Sequence, residues 1–211
     1  MTLVTSDDRW LIAGLGNPGP WFAGTRHNAG FSVVEHLAER AGARFRFAGP
    51  RCRVAEVELA GRRVVLAKPL WTINQSGSPV AGLLRSRSVP TTRLVVVQDD
   101  LDFPFGTVRV KRGGGPGGHN GVRSVSDAVG TRDYVRLRFG VGRPAKGQKM
   151  GGFVLGRFAE AEQQQIPELL DRCAEAVETL IARGLDRAQT ALHTAAVTGV
   201  VTGGETVAPH S

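Results

Sequence analysis

Cysteine is nearly absent. The 211-residue chain has two, Cys52 and Cys173, and no CxxC pair, which leaves neither a disulfide framework nor a cysteine-ligated zinc module open to it. Lysine is scarce as well, with four (Lys68, Lys111, Lys146, Lys149) among 27 basic side chains. No apolar run approaches the roughly 18 residues of a membrane-spanning helix. The first ten residues, MTLVTSDDRW, carry two acids and no apolar segment of the secretory kind. These absences make a cytosolic protein with no membrane partner the expectation.

A hydrophobic content of 41% is enough for a true core and excludes wholesale disorder. The 27 basic residues outnumber 19 acids, for a net charge of +8. That excess is uneven. Residues 107–143 hold eight basic side chains against Asp127 and Asp133, a net +6. Residues 40–63 add +5, from seven arginines against Glu56 and Glu58, while 159–196 carry −4 from seven acids and three arginines. Localised positive charge of this kind is the footprint of a nucleic-acid partner. An arginine-favouring composition is the alternative, and composition alone leaves the two level.

The apolar pattern alternates between strand and helix. Trp10 to Gly14 reads as a buried strand, and Phe31, Val34, Leu37, Ala38 and Ala41 follow at helical spacing. Residues 52–59 and 62–67 read as a hairpin closed by Ala60-Gly61. A short helix is expected near 76–87, and Leu94 to Val97 is uniformly apolar, as in a central strand covered on both faces. Alternation around 108–111 and over 134–141 marks two further strands, with a helix near 120–129 between them. The clearest helix spans 160–183, stopped by Gly184, and another is expected over Leu185–Ala196. This order predicts an α/β class, a three-layer sandwich with a twisted mixed sheet flanked by helices. With no internal repeat or linker we expect one domain over 1–197 and a flexible tail over 198–211.

Several stretches carry chemistry. Gly14-Leu15-Gly16-Asn17-Pro18-Gly19 fits the G-x-G-x-x-G dinucleotide fingerprint. Pro18 removes a backbone N–H, however, and no acid ends a second strand about 20 residues on. His27, in Thr25-Arg26-His27-Asn28, stands at a helix start; it is either a capping residue or a base that takes a proton from water. A carboxylate partner would fix its tautomer, and Gln98-Asp99-Asp100-Leu101-Asp102 ends the apolar strand, where open α/β sheets place their sites. A turn with one functional Asp is preferred there to a Mg²⁺ site. Residues 113–121 contain six glycines in nine positions, implying backbone brought close to something. Within them His119 reads as a local packing or hydrogen-bonding residue, or as a second acid–base group. Asn74 by itself is an ordinary turn residue.

Taken in order, the blocks 14–19, 25–30, 74–77, 99–102, 113–121 and 136–144 resemble bacterial peptidyl-tRNA hydrolase, with coverage from about Leu11 to His193. The resemblance implies cleavage of the ester joining a peptidyl group to the terminal adenosine of tRNA, by a monomer acting in the cytoplasm. It assigns His27 as the general base and Asp99 as the carboxylate that orients it. Asn17, Asn74 and Asn120 match amides that position substrate and water; Phe22 and Thr72 fall at further substrate-contact positions. Lys111 and Arg138 match residues that grip tRNA phosphates. No metal or cofactor is implied. The chain departs from the family pattern at Phe22 (commonly Tyr), Thr72-Ile73 (an aromatic-Met pair, for which neighbouring Trp71 offers replacement surface) and Gln98 (commonly His). A non-catalytic RNA-binding paralogue of the same fold is the alternative reading.

Overall fold

The computed structural model describes residues 8–198, with side chains as far as residue 193. Among these, seven strands form one mixed sheet: β1 (Trp10–Gly14), β2 (Arg46–Phe47), β3 (Cys52–Leu59), β4 (Arg62–Pro69), β5 (Leu94–Asp100), β6 (Val108–Arg112) and β7 (Val135–Gly140). Their order is β2-β3-β4-β1-β5-β7-β6. The most apolar strands lie in the middle and run parallel, β4 to β1, β1 to β5 and β5 to β7. The half-polar strands β2, β3 and β6 are antiparallel additions at the two edges. Seven helices surround the sheet: α1 (Ala29–Arg40), α2 (Gly77–Ser86), α3 (Asn120–Val129), α4 (Met150–Val154), α5 (Glu160–Gln163), α6 (Ile166–Arg183) and α7 (Leu185–Thr198).

The period of two along each central strand decides what each face meets. Ile12, Val95, Val97 and Leu137 point into a core closed by Val34 and Leu37 of α1, Cys173 and Val177 of α6 and Leu192 of α7. Their neighbours Leu11, Ala13, Leu94 and Val96 point the other way, onto Val80 and Leu84 of α2 and Val122 and Val125 of α3. Side chains alternate across a strand, so a uniformly apolar strand needs helices on both faces. The three-layer α/β architecture expected from the sequence is what forms.

Local detail follows from particular residues. Ala60 and Gly61 both take positive φ (50° and 71°), the backbone of a two-residue hairpin turn between β3 and β4. The single helix expected over 160–183 is two, α5 and α6. Pro167 sits in the first turn of α6; its ring lacks an N–H and would collide with the carbonyl of Gln163, so no helix runs through it. β5 continues past the apolar run to Asp100, putting Asp99 and Asp100 in the strand rather than in a turn. The two-residue β2 and the five-residue α4 were not anticipated. The tail expected over 198–211 lies outside the described residues, apart from Thr198 at the end of α7.

The glycines of the first block serve packing. A Cβ on Gly14 would strike the carbonyl of Gly30, and one on Gly16 would lie 2.7 Å from the Phe31 ring. Gly30 in turn abuts the carbonyl of Val97 in β5. The start of α1 is therefore pressed onto the carboxyl ends of β1 and β5, which brings residues 25–28 beside Asp99.

Candidate active site

Asp99 lies one residue from the carboxyl end of β5 and is 3% exposed. His27 occupies a single 3₁₀ turn, Arg26–Asn28, that leads into α1. The turn is fixed from both sides: Arg26 N–H donates to the Gly156 carbonyl at 3.0 Å and Asn28 N–H to Thr25 at 3.0 Å. His27 Nδ1 is 2.9 Å from Asp99 Oδ1. His119, the N-cap of α3, approaches from the opposite helical layer and places Nε2 3.0 Å from the same oxygen.

Tautomers follow from partners. Val122 N–H donates to His119 Nδ1 at 3.3 Å, so that nitrogen is the acceptor and Nε2 carries the proton aimed at Asp99. An ionised Asp99 only accepts, so His27 also carries its proton on Nδ1 and leaves Nε2 with a lone pair. Burial by itself would raise the Asp99 carboxyl; charge and hydrogen bonds from His119, then from His27, outweigh it and hold the group well below the usual carboxylate range. The expected local hydrogen-bonding role for His119 thus holds, and its partner is the carboxylate itself.

These groups face a cleft of about 670 Å³, lined also by Gln98, Gly117, Asn120, Met150 and Val154. Beside it, a groove of about 650 Å³ is lined by Trp71, Asn74, Gln75, Asn120 and Arg123, so the two depressions meet at Asn120. Asn17 lines a third hollow with Phe31 and Lys68. Its N–H donates to Asn28 Oδ1 at 2.8 Å, Asn28 Nδ2 donates back to its carbonyl at 2.9 Å, and Ile73 N–H donates to its Oδ1 at 2.9 Å. Asn17 therefore ties the loop after β1 to the turn that carries Asn74. Phe22, half-buried in the Pro20–Phe22 turn, and Thr72, exposed with Oγ1 3.4 Å from Gln75 Oε1, line none of these three depressions. Trp71 does line one, with the Arg51 guanidinium 3.9 Å above its ring.

The three acids after Gln98 do not converge. Asp100 accepts from Arg138 Nε at 2.6 Å, and Asp102 from Arg143 Nη2 at 2.6 Å. Arg138, expected to be a phosphate ligand, is thus held by Asp100 and stacked 4.5 Å from the Phe103 ring, and it shares a small hollow with Lys111. The glycine loop does meet something at close range, the chain's own Arg136, whose guanidinium donates to the carbonyls of Gly113 and Gly115 at 2.9 Å each. Partial burial, then the guanidinium groups of Arg136 and Arg138, push the Lys111 ammonium down, with Asp100 pulling weakly the other way.

Some site residues were not singled out from sequence. Asp100 and Arg136 carry the internal pairing that a charge count does not reveal. Met150 and Val154 add apolar lining to the same cleft. Gln98, already noted as a departure from the family pattern, is buried with its Oε1 lacking any hydrogen-bond partner among the described residues. Among the described residues, one cluster has metal-ligand chemistry: an atom from each of His27, Asp99 and His119, all within 4.8 Å of one another.

A layered α/β sandwich with a buried carboxylate orienting a cleft-facing imidazole at the carboxyl ends of its central strands has the layout of an enzyme that moves protons. A family model described as peptidyl-tRNA hydrolase matches residues 11–199. The chain is 54% identical to the peptidyl-tRNA hydrolase of Frankia alni over 172 residues, 81% of this chain and 87% of that one. It is 50% identical to that of Mycobacteroides abscessus over 170 residues, 80% and 87% of the two. The crystal structure of the Acinetobacter baumannii peptidyl-tRNA hydrolase superposes with a TM-score of 0.82 at 32% identity, covering 89% of this chain and 96% of that one. The chain belongs to the peptidyl-tRNA hydrolase family.

Proposed function

We propose that this protein hydrolyses the ester between a peptidyl, or other N-blocked aminoacyl, group and the 3′-terminal adenosine of tRNA, releasing tRNA for reuse. The observation that carries the reading is the 2.9 Å contact from His27 Nδ1 to Asp99 Oδ1, which leaves His27 Nε2 as the acceptor facing the cleft. His27 takes a proton from water as the water attacks the ester carbonyl, and Asp99 keeps the ring in that tautomer and offsets the charge it gains. An activated ester needs no covalent nucleophile, and the amide N–H groups of Asn120, where the two depressions meet, and of Asn74 in the adjoining groove are suited to the developing oxyanion. Asn17 acts by fixing the Asn74 turn against Asn28.

Lys111 is the better of the two phosphate-gripping candidates. Partial burial, then crowding by Arg136 and Arg138, disfavours its charge in the free protein, and an arriving phosphate offsets both. Arg138, tied to Asp100, supports the local potential and shapes the hollow. Phe22 and Thr72 we assign to peripheral substrate contact. The protein acts as a monomer in the cytoplasm in this reading, which light scattering and cell fractionation test.

The deciding experiment is hydrolysis of N-acetyl-aminoacyl-tRNA beside free aminoacyl-tRNA. Rapid release from the first with little from the second is expected. tRNA binding with no release from either would select the non-catalytic RNA-binding alternative.

A further inference from the structure

We propose that the His27–Asp99–His119 cluster takes one divalent cation of the zinc class, and that the bound cation switches the centre off by trapping His27 in the wrong tautomer. The binding half stands on the cluster alone; the switching half rests on the reading of His27 as the base.

The donor atoms are His27 Nδ1, Asp99 Oδ1 and His119 Nε2. Each nitrogen is already about 3 Å from the oxygen, at 2.9 and 3.0 Å, and all three atoms lie within 4.8 Å of one another. A tetrahedral zinc, with bonds of roughly 2.0–2.2 Å, spaces its ligand atoms about 3.3 Å apart. Both nitrogen–oxygen gaps then open by a few tenths of an ångström, and the two rings draw together. The ring centroids are 5.1 Å apart at a tilt of 44°.

The chemistry of the donors selects the ion. Two imidazoles and one carboxylate suit zinc, cobalt, nickel or copper, whereas magnesium and calcium prefer an all-oxygen shell. Asp99 supplies the carboxylate of the set through Oδ1, the oxygen that both imidazoles already approach. Three protein ligands leave the fourth position to water from the cleft, the pattern of an open rather than a closed zinc site.

Proton positions give the consequence. A neutral imidazole that coordinates through one nitrogen must carry its proton on the other. Coordination at His27 Nδ1 therefore moves that proton to Nε2, the nitrogen that would otherwise receive the proton of the attacking water. No proton leaves the protein; it changes nitrogen. The same shift at His119 puts a proton on Nδ1 and ends its 3.3 Å bond from Val122 N–H, a long hydrogen bond and the main opposing term. The cation also sits on the Asp99 oxygen that orients the base, so both members of the pair are taken at once.

The test uses the full chain stripped of metal with a chelator and freed of it by gel filtration. Zinc chloride is titrated against a chromophoric chelator. One equivalent is expected to bind, and His27→Ala and His119→Asn are each expected to weaken it at least tenfold. Asn keeps an N-cap acceptor for α3, and circular dichroism checks that both variants fold. His36→Gln, which alters the histidine paired with Asp171 between α1 and α6, is expected to leave zinc affinity unchanged. Magnesium chloride at the same concentration is expected not to compete. Zinc should inhibit release from N-acetyl-aminoacyl-tRNA with a midpoint tracking its affinity, reversed by chelator. Equal zinc affinity in wild type and both variants would overturn the site, and stimulation by bound zinc would overturn the switch. Metal-free protein that binds zinc as expected yet releases no peptide would instead count against the proposed hydrolase function.

Discussion

His27 and His119 reach a single oxygen of Asp99 from opposite sides of the sheet, at 2.9 and 3.0 Å. One comes from the layer of α1 and the other from the layer of α3, so the carboxylate at the end of β5 is a point where the two halves of the sandwich are joined by hydrogen bonds. Only His27 retains an imidazole nitrogen free for chemistry, because His119 Nδ1 caps α3. The two rings therefore divide the work: one acts, the other holds the carboxylate.

Removing the actor and spoiling its tautomer should look alike in rate. His27→Ala is expected to lower kcat roughly 10²–10⁴-fold, the usual share of general-base catalysis. Asp99→Asn can donate an amide N–H to His27 Nδ1 and force the proton to Nε2, for a loss on the order of 10⁴-fold, as a wrong tautomer costs other His–Asp pairs. Single-turnover release from N-acetyl-aminoacyl-tRNA measures both. tRNA affinity in a filter-binding assay should change little in His27→Ala, and a full-rate His27→Ala enzyme would end the general-base account.

Asp99 also gives stability a pH dependence. Its folded-state pKa is depressed below the ordinary 3.8, so its contribution is complete above that value and is lost as pH falls through the lower folded-state value. Urea unfolding of wild type and Asp99→Asn should keep a stability gap from neutrality down to about pH 4 and lose it at more acid pH. A gap that closes between about pH 6 and 5 would assign the effect to another group.

Lys111 and Arg138 should part company. Lys111→Met is expected to weaken tRNA binding and flatten its log–log salt slope by up to about one unit, with fold stability unchanged or slightly raised. Arg138→Met takes the cationic partner from the nearly buried Asp100 carboxylate and leaves it the Asp102 N–H, so it is expected to cost about 3 kcal/mol in unfolding free energy, the low end for a broken buried pair. Chemical denaturation and a salt series on the same samples separate the two. Identical salt slopes in wild type and Lys111→Met would remove Lys111 from the phosphate contact.

Gly30→Ala tests why the first glycine block exists. The added methyl would meet Leu15 carbonyl at 2.6 Å and the Val97 carbonyl closer still, and backbone at both points has little room to retreat. A loss of about 1–3 kcal/mol is expected from such overpacking, with activity falling further because His27 lies in the turn that leads into α1. Gly24→Ala, at an open position with φ of 73°, is expected to strain only its own turn.

The parts of the molecule legible from sequence are those where one side chain decides one outcome. The uniformly apolar Leu94–Val97 run announced a strand covered on both faces, and Ala60-Gly61 announced the hairpin. Pairings across distance were less accessible. Nothing local to Arg138 shows that Asp100 will occupy it, because the two meet only through the parallel register of β5 and β7. The glycine-rich loop was legible as close backbone approach, but its partner, Arg136, lies on a strand reached after a helix. His119 was ambiguous for the same reason. Its partner Asp99 is 20 residues earlier, and only the fold brings them together.

Arg26, the residue before His27, has one further consequence. Its guanidinium donates to the Arg157 carbonyl and to Glu162 at 2.6 Å, and lies 4.4 and 5.2 Å from the Phe153 and Phe158 rings, while its own N–H holds Gly156. Phe153 belongs to α4, the helix whose Met150 and Val154 form part of the wall of the cleft. That part of the wall and the imidazole are thus hung from the same short turn. A peptide that presses on that wall pushes, through a single residue, on the ring that must attack its ester, so the width of the cleft and the aim of the base are not independent settings.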